Sequence, residues 1–103
     1  MQKAMKTIKE IKQILSEYKE ELARNYRIKE IGIFGSYVRG KQNKKSDIDI
    51  LVDFDEVDIP DLLRFIEMER YLKRLINKKV DLVRKGGIRP ELKEIILREV
   101  IYL

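Results

Sequence analysis

The segment SDIDILVDF places Asp47 and Asp49 two residues apart at the head of an apolar run. In an extended chain, side chains two apart leave the same face, with Cβ atoms roughly 6–7 Å from each other. Two carboxylates so placed repel when both are ionised, and a divalent cation turns that repulsion into attraction. Asp81, in VDLV, is a third acid in the same kind of apolar frame. If the two runs are neighbouring strands, Asp81 completes a three-carboxylate cluster that can bind Mg²⁺ and leave open positions for phosphate oxygens. The alternative for each aspartate is a strand-end carboxylate facing water. Asp53 and Asp55 also alternate, but they fall at the far end of the run and read as solvated loop acids.

Upstream of the pair, Gly35-Ser36 closes the apolar run IGIF. A glycine there lets the backbone approach an anion closely, and free N–H groups with the Ser36 hydroxyl can hold phosphate oxygens. The alternative is an ordinary strand-to-helix turn with Ser36 as N-cap. Between this turn and the acids, Arg39, Lys44 and Lys45 could neutralise a triphosphate or a pyrophosphate, or stand as solvated loop cations.

The remaining sequence supplies elements to hold these groups. Met5, Ile8, Ile11, Leu15, Tyr18 and Leu22 recur at helical spacing, which predicts an amphipathic helix over Lys3 to Asn25. Ile28 to Phe34 reads as a short buried strand, Tyr37 to Gly40 as a helical turn stopped by glycine, and DIDILVDF as a second strand. Pro60 opens a helix to Asn77 with Leu62, Leu63, Ile66, Tyr71, Leu72 and Leu75 as its apolar side. Val80 to Val83 is a third strand, and a last helix runs from Pro90 to Val100 with Leu92, Ile95, Ile96 and Glu99 in its periods. The order predicts one α/β (α+β) domain over residues 1–103: a helix over 1–25, a core over 28–83 and a C-terminal helical segment over 90–103.

Composition narrows the chemistry. Cysteine and histidine are both absent from the 103 residues, which removes disulfides, soft-metal sites and the commonest general base. Any metal must be a hard ion held by oxygen. The net charge of +5 favours polyanionic partners, but the basic residues are spread along the chain, which argues against a nucleic-acid arm. Charged residues reach 40%, a very soluble surface of the kind that thermophiles also use. There is no apolar run of membrane-spanning length and no signal peptide, so the expected compartment is the cytoplasm.

Taken together, GSYVRG, SDIDILV and VDLV resemble the minimal nucleotidyltransferases of the DNA polymerase β-like superfamily. The likeness runs from about Glu30 to Val83 and rests on Gly35 and Ser36, the triplet Asp47-Ile48-Asp49, and Asp81; Arg39, Gly40 and Ser46 also fit. It implies a small mixed β-sheet flanked by helices, with a nucleoside triphosphate over the acid-bearing strands. It implies two Mg²⁺ ions bridged by Asp47 and Asp49, with Asp81 completing the ion that activates the attacking hydroxyl, and Gly35, Ser36, Arg39 and Ser46 on the nucleotide. It further implies transfer of a nucleoside monophosphate, AMP from ATP, to a hydroxyl. The partner implied is a HEPN-type helical toxin, which this chain would meet as an antitoxin in a homo- or hetero-oligomer. Two other readings stay open: a non-catalytic antitoxin that neutralises by occlusion, and a basic nucleic-acid-binding domain.

Overall fold

The computed structural model describes residues 7–43, 45–55, 57 and 59–103. In chain order the elements are α1 (Ile8–Tyr26), β1 (Ile28–Phe34), α2 (Ser36–Arg39), β2 (Ile48–Phe54), α3 (Leu62–Ile76), β3 (Val80–Arg84), a 3₁₀ turn (Lys85–Gly87), α4 (Pro90–Glu99) and β4 (Ile101–Tyr102). The four strands form one sheet in the order β3-β2-β1-β4. β1 runs antiparallel to β2 and to β4, and β2 runs parallel to β3. The expected mixed sheet flanked by helices is the fold observed.

Register and alternation divide the sheet into two faces. Ile33 lies opposite Ile50, and Ile50 opposite Leu82. Since successive side chains of a strand point to opposite sides, Ile31, Ile33, Ile48, Ile50, Val52, Val80 and Leu82 share one face. They join the buried residues Ile11, Leu15 and Leu22 of α1 and Met68, Leu72 and Ile76 of α3 in a single apolar core. The other face therefore carries Asp49, Leu51 and Asp53 from β2, with Asp81 and Val83 from β3. The core contains no buried polar or charged side chain among the described residues, so the acids lie on the side of the sheet away from the two long helices.

Several boundaries differ from the sequence expectation. Thr7 is the N-cap of α1, in extended conformation, and closes a capping box with Glu10, so the helix starts at Ile8. The expected turn at Lys3 to Lys6, and Met5 with it, lies outside the described residues. Asp61, not Pro60, sets the start of α3: its side chain accepts a hydrogen bond from the Arg64 N–H at 2.8 Å. The buried side of α3 also differs. Leu62 and Leu63 are 73% and 75% exposed, while Met68, Leu72 and Ile76 are buried and Phe65 packs against them. The helix has apolar residues in two phases, and the phase containing Met68 and Ile76 is the one that meets the sheet.

At the C-terminus the chain leaves its helix. Ile101 and Tyr102 pair with Ile33 and Gly32 of β1, and the Leu103 N–H donates to the Ile31 carbonyl at 3.0 Å. The segment expected as helix over 90–103 is thus α4 followed by an edge strand. Gly32 makes this possible: a Cβ there would lie 2.7 Å from Val100 Cγ2 and 2.9 Å from the Ile101 carbonyl oxygen. No helix among the described residues is long and apolar enough to cross a membrane.

Candidate active site

Strand topology brings the distant acids together. In the parallel β2–β3 pair Asp49 lies directly opposite Asp81, although the two stand 32 positions apart in the chain. Asp47 stands just before β2, exposed, in the turn that leads into it; the strand expected to begin at Asp47 begins at Ile48 instead. Among the described residues no three acidic side chains close on one point as a formed metal cage. Asp49 and Asp81 are adjacent in register, as the expected cluster requires, while Asp47 flanks them and the three carboxylates, which repel one another, do not converge on one point. Asp53, expected in a loop, belongs to β2 and is half-buried opposite Glu30, remote from the other acids.

The antiparallel pairing of β1 with β2 explains why the glycine turn meets the acids. Phe34, the last residue of β1, pairs with Asp49. The next residue, Gly35, therefore arrives beside the Asp49 carboxylate. Its backbone, at φ 80° and ψ −150°, occupies a region essentially confined to glycine. A Cβ on Gly35 would sit 2.0 Å from Asp49 Oδ2. Gly35 is N-cap of α2 without a side-chain cap, so Ser36 is the first helical residue and not the cap. Arg39 and Gly40 end this short helix, with Gly40 in the left-handed conformation at φ 70°.

Asp49 sits in an electrostatic setting that calls for positive charge. Its pKa is raised from 3.8 to about 6, first by burial and then by the carboxylates of Asp81 and Asp47; Arg39 pulls it down, and Glu99 pushes it up. A half-buried carboxylate beside two others is a group that a hard cation would stabilise. The donor set is all oxygen, which suits Mg²⁺. The absence of a side chain at Gly35 is what lets the turn approach the Asp49 carboxylate this closely. On these observations the residues present fit a hard cation such as Mg²⁺.

Ser46 has a second commitment. Its Oγ accepts a hydrogen bond from the Asn43 N–H at 2.9 Å, and its own N–H donates to the Asn43 carbonyl at 3.0 Å. It therefore shapes the loop that delivers Asp47. Lys45, Ser46, Asp47, Lys78 and Lys79 line an open hollow of about 390 Å³, which sets three lysines around the Asp47 end of the site. Lys44 lies outside the described residues.

One residue of the site had no functional assignment in the sequence. Glu99, at the end of α4, accepts a hydrogen bond from the Gly35 N–H at 2.9 Å and pairs with Arg39 Nη1 through both oxygens, at 3.1 and 3.0 Å. In the sequence it occupies an apolar period of the last helix. A charged residue at an apolar position of the helical period is the signal that marks it.

Residues 6–103 match the family model of the nucleotidyltransferase domain. The chain belongs to this family. It is 50% identical over 100 residues to the protein adenylyltransferase MntA of Thermococcus cleftensis, covering 97% of this chain and 99% of that protein. Among solved structures, one described as a candidate minimal nucleotidyltransferase superposes with a TM-score of 0.81 at 30% identity, covering 98% of this chain and 100% of the other. A toxin–antitoxin crystal structure with AMP-PNP gives a TM-score of 0.68 at 27% identity, covering 84% of this chain and 69% of that one.

Proposed function

We propose that the chain is a Mg²⁺-dependent protein adenylyltransferase that transfers AMP from ATP to a hydroxyl of a HEPN-type toxin. It would act as the antitoxin of that pair in the cytoplasm. The observation that carries this reading is the register of Asp49 against Asp81, with the side-chain-free turn at Gly35 pressed on the same carboxylate. The Thermococcus relative's name and the nucleotide analogue in the toxin–antitoxin structure support the substrate class.

In the proposed reaction the acceptor oxygen forms a bond to the α-phosphorus of ATP. The bond between that phosphorus and the β-bridging oxygen breaks, and pyrophosphate leaves with the electron pair. Asp47, Asp49 and Asp81 would hold two Mg²⁺ ions, which when bound supply charge neutralisation to the triphosphate and acidify the acceptor hydroxyl. Asp81 is exposed next to Asp49 and is open to receive the hydroxyl's proton. Gly35 and Ser36 provide the turn against which the phosphates lie. Arg39 has a side chain 50% exposed and supplies a fixed positive charge to the triphosphate tail. Ser46 holds the loop bearing Asp47, and the basic hollow lined by Lys45 and Lys79 lies where an anionic product or an acidic acceptor segment would pass.

A second reading, neutralisation by occlusion without transfer, is favoured by one observation. Val57, Ile59, Leu62 and Leu63 present exposed apolar surface at the start of α3, the kind of patch that partner proteins cover. Incubation with α-labelled ATP, Mg²⁺ and the cognate HEPN protein separates the two. Label on the partner, abolished by Asp47→Asn, is the expected result. Neutralisation of the toxin that survives Asp47→Asn in full, with no label on wild-type mixtures, would leave occlusion as the function.

A further inference from the structure

Arg39 ends α2, the short helix that follows the Gly35 turn beside Asp49, and α4 reaches this turn from the far end of the chain. Glu99 holds both: one oxygen accepts the Gly35 N–H, and both oxygens meet Arg39 Nη1. The Glu99 side chain is only 18% exposed, whereas that of Arg39 is 50% exposed. The anchor is thus the inner partner and the arginine the outer one. Glu99 is itself fixed from behind. The Val100 N–H donates to the Ile96 carbonyl at 3.0 Å, and Ile101 immediately after it is clamped into the sheet against Ile33.

We infer that Glu99 is a positioning residue for nucleotide binding, one that fixes the Gly35 turn and aims Arg39 at the triphosphate tail. The inference rests on the adenylyl-transfer reading above. Nη1 is engaged by Glu99, which leaves the other guanidinium donors of Arg39 for phosphate oxygens. A free arginine would lose several rotatable bonds on meeting the nucleotide. One already held by a carboxylate loses fewer, so its contacts with the β- and γ-phosphates come at less entropic cost. The same carboxylate satisfies the N–H of buried Gly35, which would otherwise lose its hydrogen bond. The edge strand β4 acquires a role from this arrangement: it seats the last turn of α4 so that a residue near the C-terminus completes a site built by the middle of the chain.

The role is specific to the phosphate tail, and the test uses that. Calorimetric binding of ATP and of AMP, each with Mg²⁺, is measured for the full chain and for Glu99→Ala, Glu99→Gln and Arg39→Ala. Glu99→Ala weakens ATP binding about tenfold and leaves AMP within twofold, because AMP lacks the phosphates that Arg39 meets. Glu99→Gln keeps an acceptor for Gly35 but not the charge on Arg39, and falls between wild type and Glu99→Ala. In the Arg39→Ala background, Glu99→Ala adds less than a threefold further loss. The Gly35 amide, followed by hydrogen exchange without nucleotide, exchanges at least tenfold faster in Glu99→Ala and stays protected in Glu99→Gln. Equal losses for ATP and AMP would reduce Glu99 to a structural prop. Unchanged or tighter ATP binding in Glu99→Ala, or full multiplication of the two losses, would overturn the positioning role alone. A wild-type chain that binds no ATP and transfers no AMP would overturn the transferase reading and this role with it.

Discussion

Replacing Asp49 by Asn should make the metal-free protein more stable while abolishing its chemistry. Asp49 has its pKa raised from 3.8 to about 6, with burial as the largest cause and the Asp81 and Asp47 carboxylates next. A shift of about two units corresponds to about 3 kcal/mol, at 1.36 kcal/mol per unit. Asp49 is only half-buried, so water screens much of this, and about 1–1.5 kcal/mol is the expected remainder. The sign follows from proton binding. Between pH 3.8 and about 6 the folded chain holds the Asp49 proton more tightly than the unfolded chain. Unfolding therefore releases protons, stability falls as pH rises through that window, and the penalty is complete above it. Asparagine has the same shape and no charge, so it escapes the penalty. For a domain of about 100 residues the gain in Tm is about 4–10 °C. The assay is thermal unfolding by circular dichroism in chelator, at pH 7.5 and at pH 3.5, for both proteins. The variant should melt higher at pH 7.5 and level with wild type at pH 3.5, and Mg²⁺ should raise the wild-type Tm more. An equal or lower Tm at pH 7.5, or the same gain at both pH values, would refute the electrostatic account of the site.

Three other outcomes follow from the same geometry. Gly35→Ala puts a methyl group 2.0 Å from Asp49 Oδ2 in a backbone conformation that L residues avoid; AMP transfer should fall at least a hundredfold and stability by about 1–3 kcal/mol, read by label transfer and urea unfolding. Gly32→Ala collides with Val100 Cγ2 at 2.7 Å and the Ile101 carbonyl at 2.9 Å, so β4 should lift from β1; the Leu103 amide, bonded to the Ile31 carbonyl in the native sheet, should exchange faster while amides of the β2–β3 pair stay protected. Mg²⁺ binding followed by calorimetry should tighten about tenfold between pH 5 and pH 7, because Asp49 must lose its proton near pH 6 to act as a ligand; a flat profile would remove Asp49 from the ligand set.

The sequence alone determined the chemistry available and most of the local structure. Without histidine or cysteine, and with Asp47, Asp49 and Asp81 in apolar frames, the chain could offer only an oxygen site for a hard cation. The glycine-serine turn before the acids pointed to phosphate. These features are local: a helical period, an alternating strand or a glycine turn is encoded within a few residues. What needed the tertiary structure was every relation between distant segments. The meeting of Asp49 with Asp81 depends on β2 and β3 pairing in parallel at one register. Nothing within either strand states that register, which follows from packing the shared apolar face against α1 and α3. The buried side of α3 was undecided for the same reason, since its apolar residues fit two phases and only the sheet beneath selects Met68, Leu72 and Ile76. Ile101 and Tyr102 are too few to show alternation, and they become a strand because β1 has an open edge beside Gly32. Glu99 reaches the site through that edge, so its contact with Gly35 and Arg39 is a property of the assembled sheet and of no single stretch of chain.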